Sequence, residues 1–255
     1  MPITFQLNIN YLTMPTEQTI NLLIVEDDPG VADMLDLFLT SQGITTAIAR
    51  DGKQALTMIT SLNPDIIVLD VGLPYFDGFS ILDKLRSDSI TTPVIMLTEK
   101  ATIEERISGF EHGADDYVTK PFSPKELLMR VHAILSRLKA SNETDTTQQT
   151  ITINQLSLNP LTREVGVTGT TSPPLTKTEF DLLYFLAKKK NEVVTHATLL
   201  KEILQYKPTS QTKVLVVHIA NIRKKIDLKG GNGVKLLTVS GVGYKLIEQT
   251  PVING

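Results

Sequence analysis

Two kinds of hydrophobic pattern alternate along the first half of the chain. Short continuous apolar runs are each followed by a segment whose apolar residues recur at helical spacing. Continuous apolar runs are typical of strands buried on both faces, and amphipathic helices between them cover such a sheet on both sides. These pairs are 22–25 with 31–39, 66–69 with 78–85, 94–97 with 103–110, and 117–118 with 124–138. The pattern predicts a doubly wound parallel α/β sheet.

The first predicted helix carries its own boundary signals. Asp28 can cap its N-terminus, Pro29 fits the first helical position, and Gly43 lies just past its end. Ligands of such sheets collect at the carboxyl ends of the strands, so residues that follow each strand are the candidates for chemistry.

The hydrophobic pattern changes in the second half. Strands are expected at 151–158 and 164–167, around a turn at Asn159-Pro160, and helices near 178–188, 195–204 and 212–227; a strand at 236–239, a Gly-x-Gly turn at 241–243 and a strand at 244–247 follow. Three helices closed by a hairpin predict an α+β winged helix-turn-helix domain.

The segment between the halves contains almost nothing that could enter a core, which predicts a linker at 139–150. Charge changes sign there: residues 1–139 hold 11 Lys/Arg against 19 Asp/Glu, net −8, and residues 140–255 hold 14 against 9, net +5. An acidic half joined to a basic half suggests different partners for two domains, the basic one being able to approach a polyanion. Ordinary variation between two domains explains the charges equally well.

Cysteine and hydropathy limit the kind of protein. The chain has no cysteine, so neither a disulfide framework nor a thiolate metal site supports its fold. No run approaches the roughly 18 apolar residues that span a bilayer, and residues 1–13 lack the features of a signal peptide. We therefore expect a cytoplasmic protein with a disordered extension at residues 1–19.

Polar residues follow the predicted strands at the edge where ligands collect. Glu26-Asp27-Asp28 follow the first strand, Asp70 the third, Thr98 the fourth and Lys120 the fifth. Converging carboxylates suit a hard cation such as Mg²⁺, and one carboxylate can act as a nucleophile toward a phosphoryl group. Taken singly, such residues are common in loops, but together they predict a phosphoryl-transfer site.

The first half resembles the receiver domains of two-component response regulators across residues 20–138. The resemblance rests on Ile24-Val25-Glu26-Asp27-Asp28, Leu69-Asp70, Leu73-Pro74, Asp77-Gly78, Leu97-Thr98 and the run from Gly113 to Phe122. It implies that the sheet has five strands, that Asp70 accepts phosphate from a sensor histidine kinase, that Glu26, Asp27, Asp70 and the Gly72 carbonyl hold Mg²⁺, and that Lys120 pairs with the phosphoryl oxygens. Thr98 would then bind the phosphoryl group while Tyr117 rotates inward; Asp28 remains the helix cap.

Two positions beside Asp70 depart from the receiver pattern. Glu99 stands where a small residue usually follows Thr98, and Gly72 stands where a larger side chain is common. A carboxylate at Glu99 could repel an incoming acyl phosphate, so we expect slow phosphorylation from small donors.

The second half resembles the OmpR/PhoB winged-helix DNA-binding domain across residues 151–249. The resemblance rests on Leu175-Thr176-Lys177-Thr178-Glu179-Phe180, Val217-His218-Ile219, Arg223-Lys224-Lys225-Ile226 and Gly241-Val242-Gly243-Tyr244. The residues it implies for DNA contact are Lys213, His218, Asn221, Arg223, Lys224 and Lys225. Val216, Ala220, Asn221 and Ser240 depart from the family pattern and imply weaker DNA binding with a smaller salt dependence.

The resemblance also implies partners. A homodimer would form on phosphorylation through a receiver face containing Arg106, Ile107, Phe110, Glu111, Asp115, Asp116, Glu126, Leu128 and Arg130, and the dimer would bind paired promoter half-sites and act with RNA polymerase. Alternatives stay open: the protein could be a regulator that works without phosphorylation, its second half could be a protein-interaction module with weakened DNA binding, or the carboxylate could serve a phosphatase. Phosphatases of that kind normally have a second acid where Gly72 stands, so we expect a regulator and not an enzyme.

Overall fold

The computed structural model describes residues 20–99, 112–143, 149–168, 174–204, 212–226 and 233–248, with side chains described in all of these except 137–143 and 212–213. The helix expected at 103–110 and the extension at 1–19 lie outside these ranges. Within them, no helix is both long and apolar enough to cross a membrane.

The first domain is built around a parallel sheet of five strands in the order β2-β1-β3-β4-β5. The strands are β1 Ile20–Val25, β2 Ile44–Ala49, β3 Ile66–Asp70, β4 Val94–Thr98 and β5 Asp116–Thr119, and the helices are α1 Pro29–Ser41, α2 Gly52–Leu62, α3 Gly78–Ser87 and α4 Pro124–Glu143. Strands β3 and β4 are buried at every position, as their unbroken apolar runs predict. The predicted doubly wound α/β architecture is confirmed.

Local capping fixes where the helices next to the sheet edge begin. Asp28 accepts a hydrogen bond from the Val31 backbone N–H at 2.9 Å, as expected of the N-cap of α1. Asp77 caps α3 in the same way through Ser80 N–H at 2.9 Å. Each cap satisfies one of the N–H groups that a helix leaves without an internal partner, and so fixes the first turn of each helix.

The second domain contains the expected strands, three helices and terminal hairpin. Its elements are β6 Ile151–Ile153, β7 Leu156–Asn159, β8 Glu164–Val167, α5 Lys177–Lys188, β9 Val194–Thr195, α6 His196–Glu202, α7 Thr212–Ile226, β10 Val234–Val239 and β11 Gly243–Glu248. Strands β6, β7 and β8 form one antiparallel sheet, and β10, β11 and β9 form another. The winged helix-turn-helix prediction is confirmed.

Two predicted boundaries were wrong. The strand expected at 151–158 is two strands, because Asn154 adopts a left-handed φ of 49° and turns the chain between them. The linker was expected from residue 139, but helix α4 continues to Glu143. Polar residues such as Ser141 and Asn142 do not stop a helix that is already formed.

The wing turn provides a stability prediction. A Cβ on Gly243 would lie 1.9 Å from the Val194 carbonyl oxygen, whereas Gly241 has a φ of +72° and no atom within 4 Å of its Cβ position. We expect Gly243→Ala to lower the free energy of unfolding of the second domain by about 3 kcal/mol through this overlap. Gly241→Ala is the matched control and should cost about 1 kcal/mol of backbone strain. Thermal unfolding followed by circular dichroism measures both, and equal losses would contradict this account of the turn.

Candidate functional site

Parallel pairing brings the ends of three strands together at one edge of the sheet. Glu26 follows β1, Asp70 ends β3 and Lys120 follows β5, and β1 and β4 are the immediate neighbours of β3. Glu26 is 0% exposed and Asp70 is 5% exposed. The expected convergence of charged side chains at the carboxyl edge is therefore present in the structure.

Lys120 holds the two buried carboxylates. Its Nζ donates to Glu26 Oε2 at 2.8 Å and lies 3.1 Å from Asp70 Oδ2. Burial raises the pKa of Glu26 in spite of the hydrogen bond from Lys120, and the Asp70 carboxylate raises it further. Burial alone would lower the pKa of Lys120, but the hydrogen bond to Glu26 and the charge of Asp70 outweigh it and raise that pKa. Two carboxylates share one ammonium, so the site retains an excess of negative charge.

The carboxylates of Glu26, Asp27 and Asp70 can hold a metal ion. One oxygen from each lies within 4.8 Å of the other two, and Asp27 is exposed while the other two are buried. An all-oxygen set with an open side suits a hard divalent cation. Gly72 lies next to this set, since a Cβ there would be in van der Waals contact with Asp70 Oδ2 at 3.6 Å.

Gly78 determines how close α3 comes to the acidic edge. A Cβ at this position would lie 2.3 Å from the Asp70 carbonyl oxygen, and the Gly78 N–H donates to the Val71 carbonyl at 3.0 Å. Only glycine permits this approach of helix to strand end. The loop between β3 and α3 is thereby held against the backbone of Asp70.

The two expected switch residues lie on the neighbouring strands. Thr98 ends β4 and is 5% exposed, and the Lys120 backbone N–H donates to its carbonyl at 2.7 Å. Tyr117, in the middle of β5, is 1% exposed. Its ring is packed in the same hydrophobic core as Met96, and the expected rotation on phosphorylation stays a prediction.

Glu99 lies on a cleft beside the acidic edge. The cleft, of about 450 Å³, is lined by Val31, Met34, Glu99, Lys120, Pro121 and Phe122. Glu99 itself is exposed. Glu99 and Lys120 therefore line the same cleft, whose apolar lining was not foreseen, and the expected repulsion of an anionic donor by Glu99 stays a prediction.

The charged residues expected to pair across a dimer instead pair within the chain. Arg130 lies 2.9 Å from Asp116 Oδ2 and 2.8 Å from Glu126 Oε1. Asp115 is 3% exposed and lies 3.4 Å from Arg86, a residue the sequence did not single out. Asp115 is too deeply buried here to reach a second subunit, and that assignment is corrected. Arg106, Ile107, Phe110 and Glu111 lie outside the described residues; Leu128 is half-buried against the core.

Helix α7 places few of the expected DNA contacts on its outer face. His218 is 1% exposed, so its assignment as a DNA contact was wrong: it lies on the core side, among Leu215, Ile219 and Ile222 in the sequence pattern. Lys225 lies 2.7 Å from the buried Glu179, and the Lys213 side chain lies outside the described set. Among the described residues of α7, Val216, Ala220 and Lys224 are exposed and Asn221 is half-buried.

Arg223 connects α7 to the wing. Its Nε donates to the Leu236 carbonyl at 2.9 Å, and one terminal nitrogen donates to Thr238 Oγ1 at 2.8 Å. The resemblance to the family assigned this arginine to a DNA contact. In the structure it ties the helix to strand β10 of the hairpin. This contact could not be predicted from the sequence, because it depends on where β10 lies in the folded domain.

Comparisons with known proteins agree with this architecture. Residues 22–132 match the response regulator receiver domain, and residues 170–246 match the C-terminal domain of transcriptional regulatory proteins. The DNA-binding response regulator MtrA of Mycolicibacterium smegmatis is 40% identical over 224 residues, which cover 88% of this chain and 95% of MtrA. The uncharacterized transcriptional regulatory protein YclJ of Bacillus subtilis is 39% identical over 227 residues, covering 89% of this chain and 99% of YclJ.

A solved structure shares the arrangement of both domains. A mutant of RitR superposes with a TM-score of 0.73 at 25% identity, covering 90% of this chain and 99% of RitR. A score this high over so much of the chain requires both domains to superpose together, because neither matched domain makes up half of the chain.

A receiver followed by a winged-helix effector is the architecture of a DNA-binding response regulator. The chain belongs to the OmpR/PhoB family of response regulators.

The pairing of Lys120 with buried carboxylates predicts a pH-dependent loss of stability. Lys120→Met leaves the fully buried Glu26 without its cation, so we expect the free energy of unfolding at neutral pH to fall by about 3 kcal/mol. The pKa of Glu26 is already raised and rises further without Lys120. The folded variant therefore takes up a proton as the pH falls through that raised pKa, and the loss shrinks as the pH falls further toward the ordinary pKa of a glutamate.

Lys125→Met is the matched control, because Lys125 is exposed on the first turn of α4. Denaturant unfolding of both variants at several pH values measures the difference. A loss that is the same for both lysines, or that grows on acidification, would contradict the role assigned to Lys120.

Proposed function

We propose that the protein is a phosphorylation-gated transcriptional regulator whose receiver accepts a phosphoryl group on Asp70 from a sensor histidine kinase. One observation carries the proposal: the Asp70 carboxylate lies 3.1 Å from Lys120 and within 4.8 Å of two further acids, at the carboxyl edge of the sheet. A nucleophilic oxygen, a cation for phosphoryl oxygens and ligands for a metal thus lie together.

The chemistry is an in-line displacement on phosphorus. The bond between phosphorus and a phosphohistidine nitrogen breaks, a bond between phosphorus and an Asp70 carboxylate oxygen forms, and the imidazole nitrogen keeps the electron pair. Lys120 can turn from Asp70 toward a phosphoryl oxygen without leaving Glu26, because it contacts both carboxylates. Thr98, at the end of the adjacent strand, supplies a hydroxyl donor to the same group.

Mg²⁺ is the cofactor that the acid set would hold, through Glu26, Asp27, Asp70 and the Gly72 carbonyl. When bound, it neutralises the carboxylates and the charge that develops on the phosphoryl oxygens. The excess negative charge left by one ammonium among three acids explains why this chain needs such a cation before an anionic donor can approach.

The output is binding to paired promoter half-sites as a homodimer, followed by action on RNA polymerase. Dimerisation compensates for weak single sites, since linking two half-site contacts multiplies their effect. Weak single sites are expected because Val216 and Ala220 occupy the exposed face of α7, where Lys224 is the exposed cation among the described residues of that helix.

Asp70→Asn tests the phosphorylation step. The unsubstituted protein, incubated with Mg²⁺ and an acyl-phosphate donor or a promiscuous histidine kinase, should gain an acid-stable, base-labile phosphate and shift toward a dimer. The variant should do neither, because an amide nitrogen cannot form the acyl phosphate. Intact mass and light scattering on the same samples measure both changes.

Asp88→Asn is the matched control, since Asp88 is an exposed acid paired with Lys84 at the end of α3. It should label and dimerise as the unsubstituted protein does. Equal labelling of the Asp70 and Asp88 variants, or an unsubstituted protein that takes up no phosphate, would overturn the gated mechanism.

A second candidate function is a protein-interaction module that acts without phosphorylation, favoured by the exposed Val216 and Ala220 on α7. Gel shifts of the full chain on mixed-sequence duplex DNA at several salt concentrations separate the two functions. If α7 contacts phosphates, Lys224→Ala should lower the slope of log affinity against log salt by about one. Lys188→Ala, an exposed lysine on α5, should leave it unchanged. Absence of salt-sensitive binding would favour the interaction module.

A further inference from the structure

Asp115 is a buried carboxylate that the phosphoryl-transfer site does not use. It stands just before β5, at the edge of the sheet opposite Asp70, and its side chain is 0% exposed. Its Oδ2 accepts the Val94 N–H at 3.1 Å and lies 3.4 Å from an Arg86 nitrogen. These contacts hold Oδ2 within the receiver and leave Oδ1 facing the effector domain.

The outward oxygen contacts the effector domain. Asp115 Oδ1 accepts the backbone N–H of Thr178 at 3.3 Å, in the first turn of α5. Thr176 caps the same helix through the Glu179 N–H at 3.3 Å, so the receiver carboxylate satisfies a further N–H of that turn. A carboxylate is favoured there because the N-terminus of a helix carries partial positive charge.

Charges on both sides of this contact are complementary. Burial lowers the pKa of Lys177 and Arg163 lowers it further, while Asp115 and Asp65 of the receiver oppose that shift. Burial also lowers the pKa of Arg86, and Asp115 together with Glu179 of the effector opposes it. Each domain thus places a cation where the other presents a carboxylate, in line with the opposite net charges of the two halves of the chain.

We propose that Asp115 docks the receiver onto its own effector domain, with the N-terminus of α5 as the partner, and holds the effector in one orientation. The arrangement of both domains shared with RitR supports a defined orientation over free tethering. Docking leaves α7 uncovered, since Val216 is 53% exposed in the docked chain. Docking therefore constrains where the outer face of α7 points and does not block it.

The natural lack of cysteine permits a direct test in the full chain. Thr91 of the receiver and Thr162 of the effector line one cavity of about 370 Å³ between the domains, and neither takes part in the Asp115 contact. We expect a Thr91→Cys, Thr162→Cys chain to form an intramolecular cross-link with a short bifunctional thiol reagent at least tenfold faster than a Thr91→Cys, Thr168→Cys control. Thr168 is exposed, as Thr162 is, and follows the far end of β8, a four-residue strand roughly 10 Å long between its first and last Cα atoms.

Two further substitutions in the Thr91→Cys, Thr162→Cys chain assign the docking to Asp115. Thr178→Pro removes the donated N–H at a position in the first helical turn, and Asp115→Asn removes the charge while Arg86 keeps the carbonyls of Gly113 and Ile90. Each should slow cross-linking severalfold, with circular dichroism showing which variants are folded.

Cross-linking no faster than in the control pair, or unchanged by a folded variant, would overturn the proposal. The test uses neither phosphate nor DNA, so its failure is distinct from failure of the proposed gating.

Discussion

The whole receiver is organised around one ammonium group that holds two buried carboxylates together. The strands of a parallel sheet all end at the same edge, so the carboxyl ends of β1, β3 and β5 lie together. In this chain those ends carry Glu26, Asp70 and Lys120. Glu26 is completely buried, so its charge has no water to solvate it and depends on Lys120. An arrangement held by so few charges responds strongly when another charge is added, and the proposed phosphoryl-accepting role would use this sensitivity.

Two neighbouring strands, β4 and β5, carry contacts of different kinds at their two ends. Thr98 lies at the carboxyl end of β4, near Asp70, and Val94 at its other end is bound twice by Asp115: the Asp115 N–H donates to the Val94 carbonyl at 2.9 Å, and the Val94 N–H donates to the Asp115 carboxylate at 3.1 Å. Tyr117 stands two residues along the chain from Asp115. The reactive edge and the docking edge of the sheet are therefore joined by short, largely buried strands, which are rigid elements suited to transmit a displacement.

Sequence patterns predicted the parts of the fold that depend on local sequence. Buried strands were found because β3 and β4 are apolar almost throughout, and Asp70, Thr98 and Lys120 were found because they lie at strand ends. The hydrophobic pattern missed strand β2, because it is a half-exposed edge strand containing two threonines. It also missed β9, because that strand has only two residues. The partners of charged side chains could not be predicted. Asp115 contacts Arg86 and the Thr178 N–H because of where these groups lie in the folded chain, which no local spacing in the sequence encodes.

Helix α7 shows the same limit in the residues that matter for DNA. The six polar or basic residues of α7 suggested a cationic face, but the helix packs against both α5 and α6. That wide buried face takes in His218, while Lys225 turns to Glu179 and Arg223 to the wing. Some of the basic side chains of the second half therefore make contacts within the domain, where Arg223 and Lys225 connect α7 to the hairpin and to α5. Counting basic residues overestimates the charge offered to a polyanion whenever the arginines and lysines also build the scaffold. In the proposed dimer, recognition would then depend on how the two effector domains are oriented relative to each other.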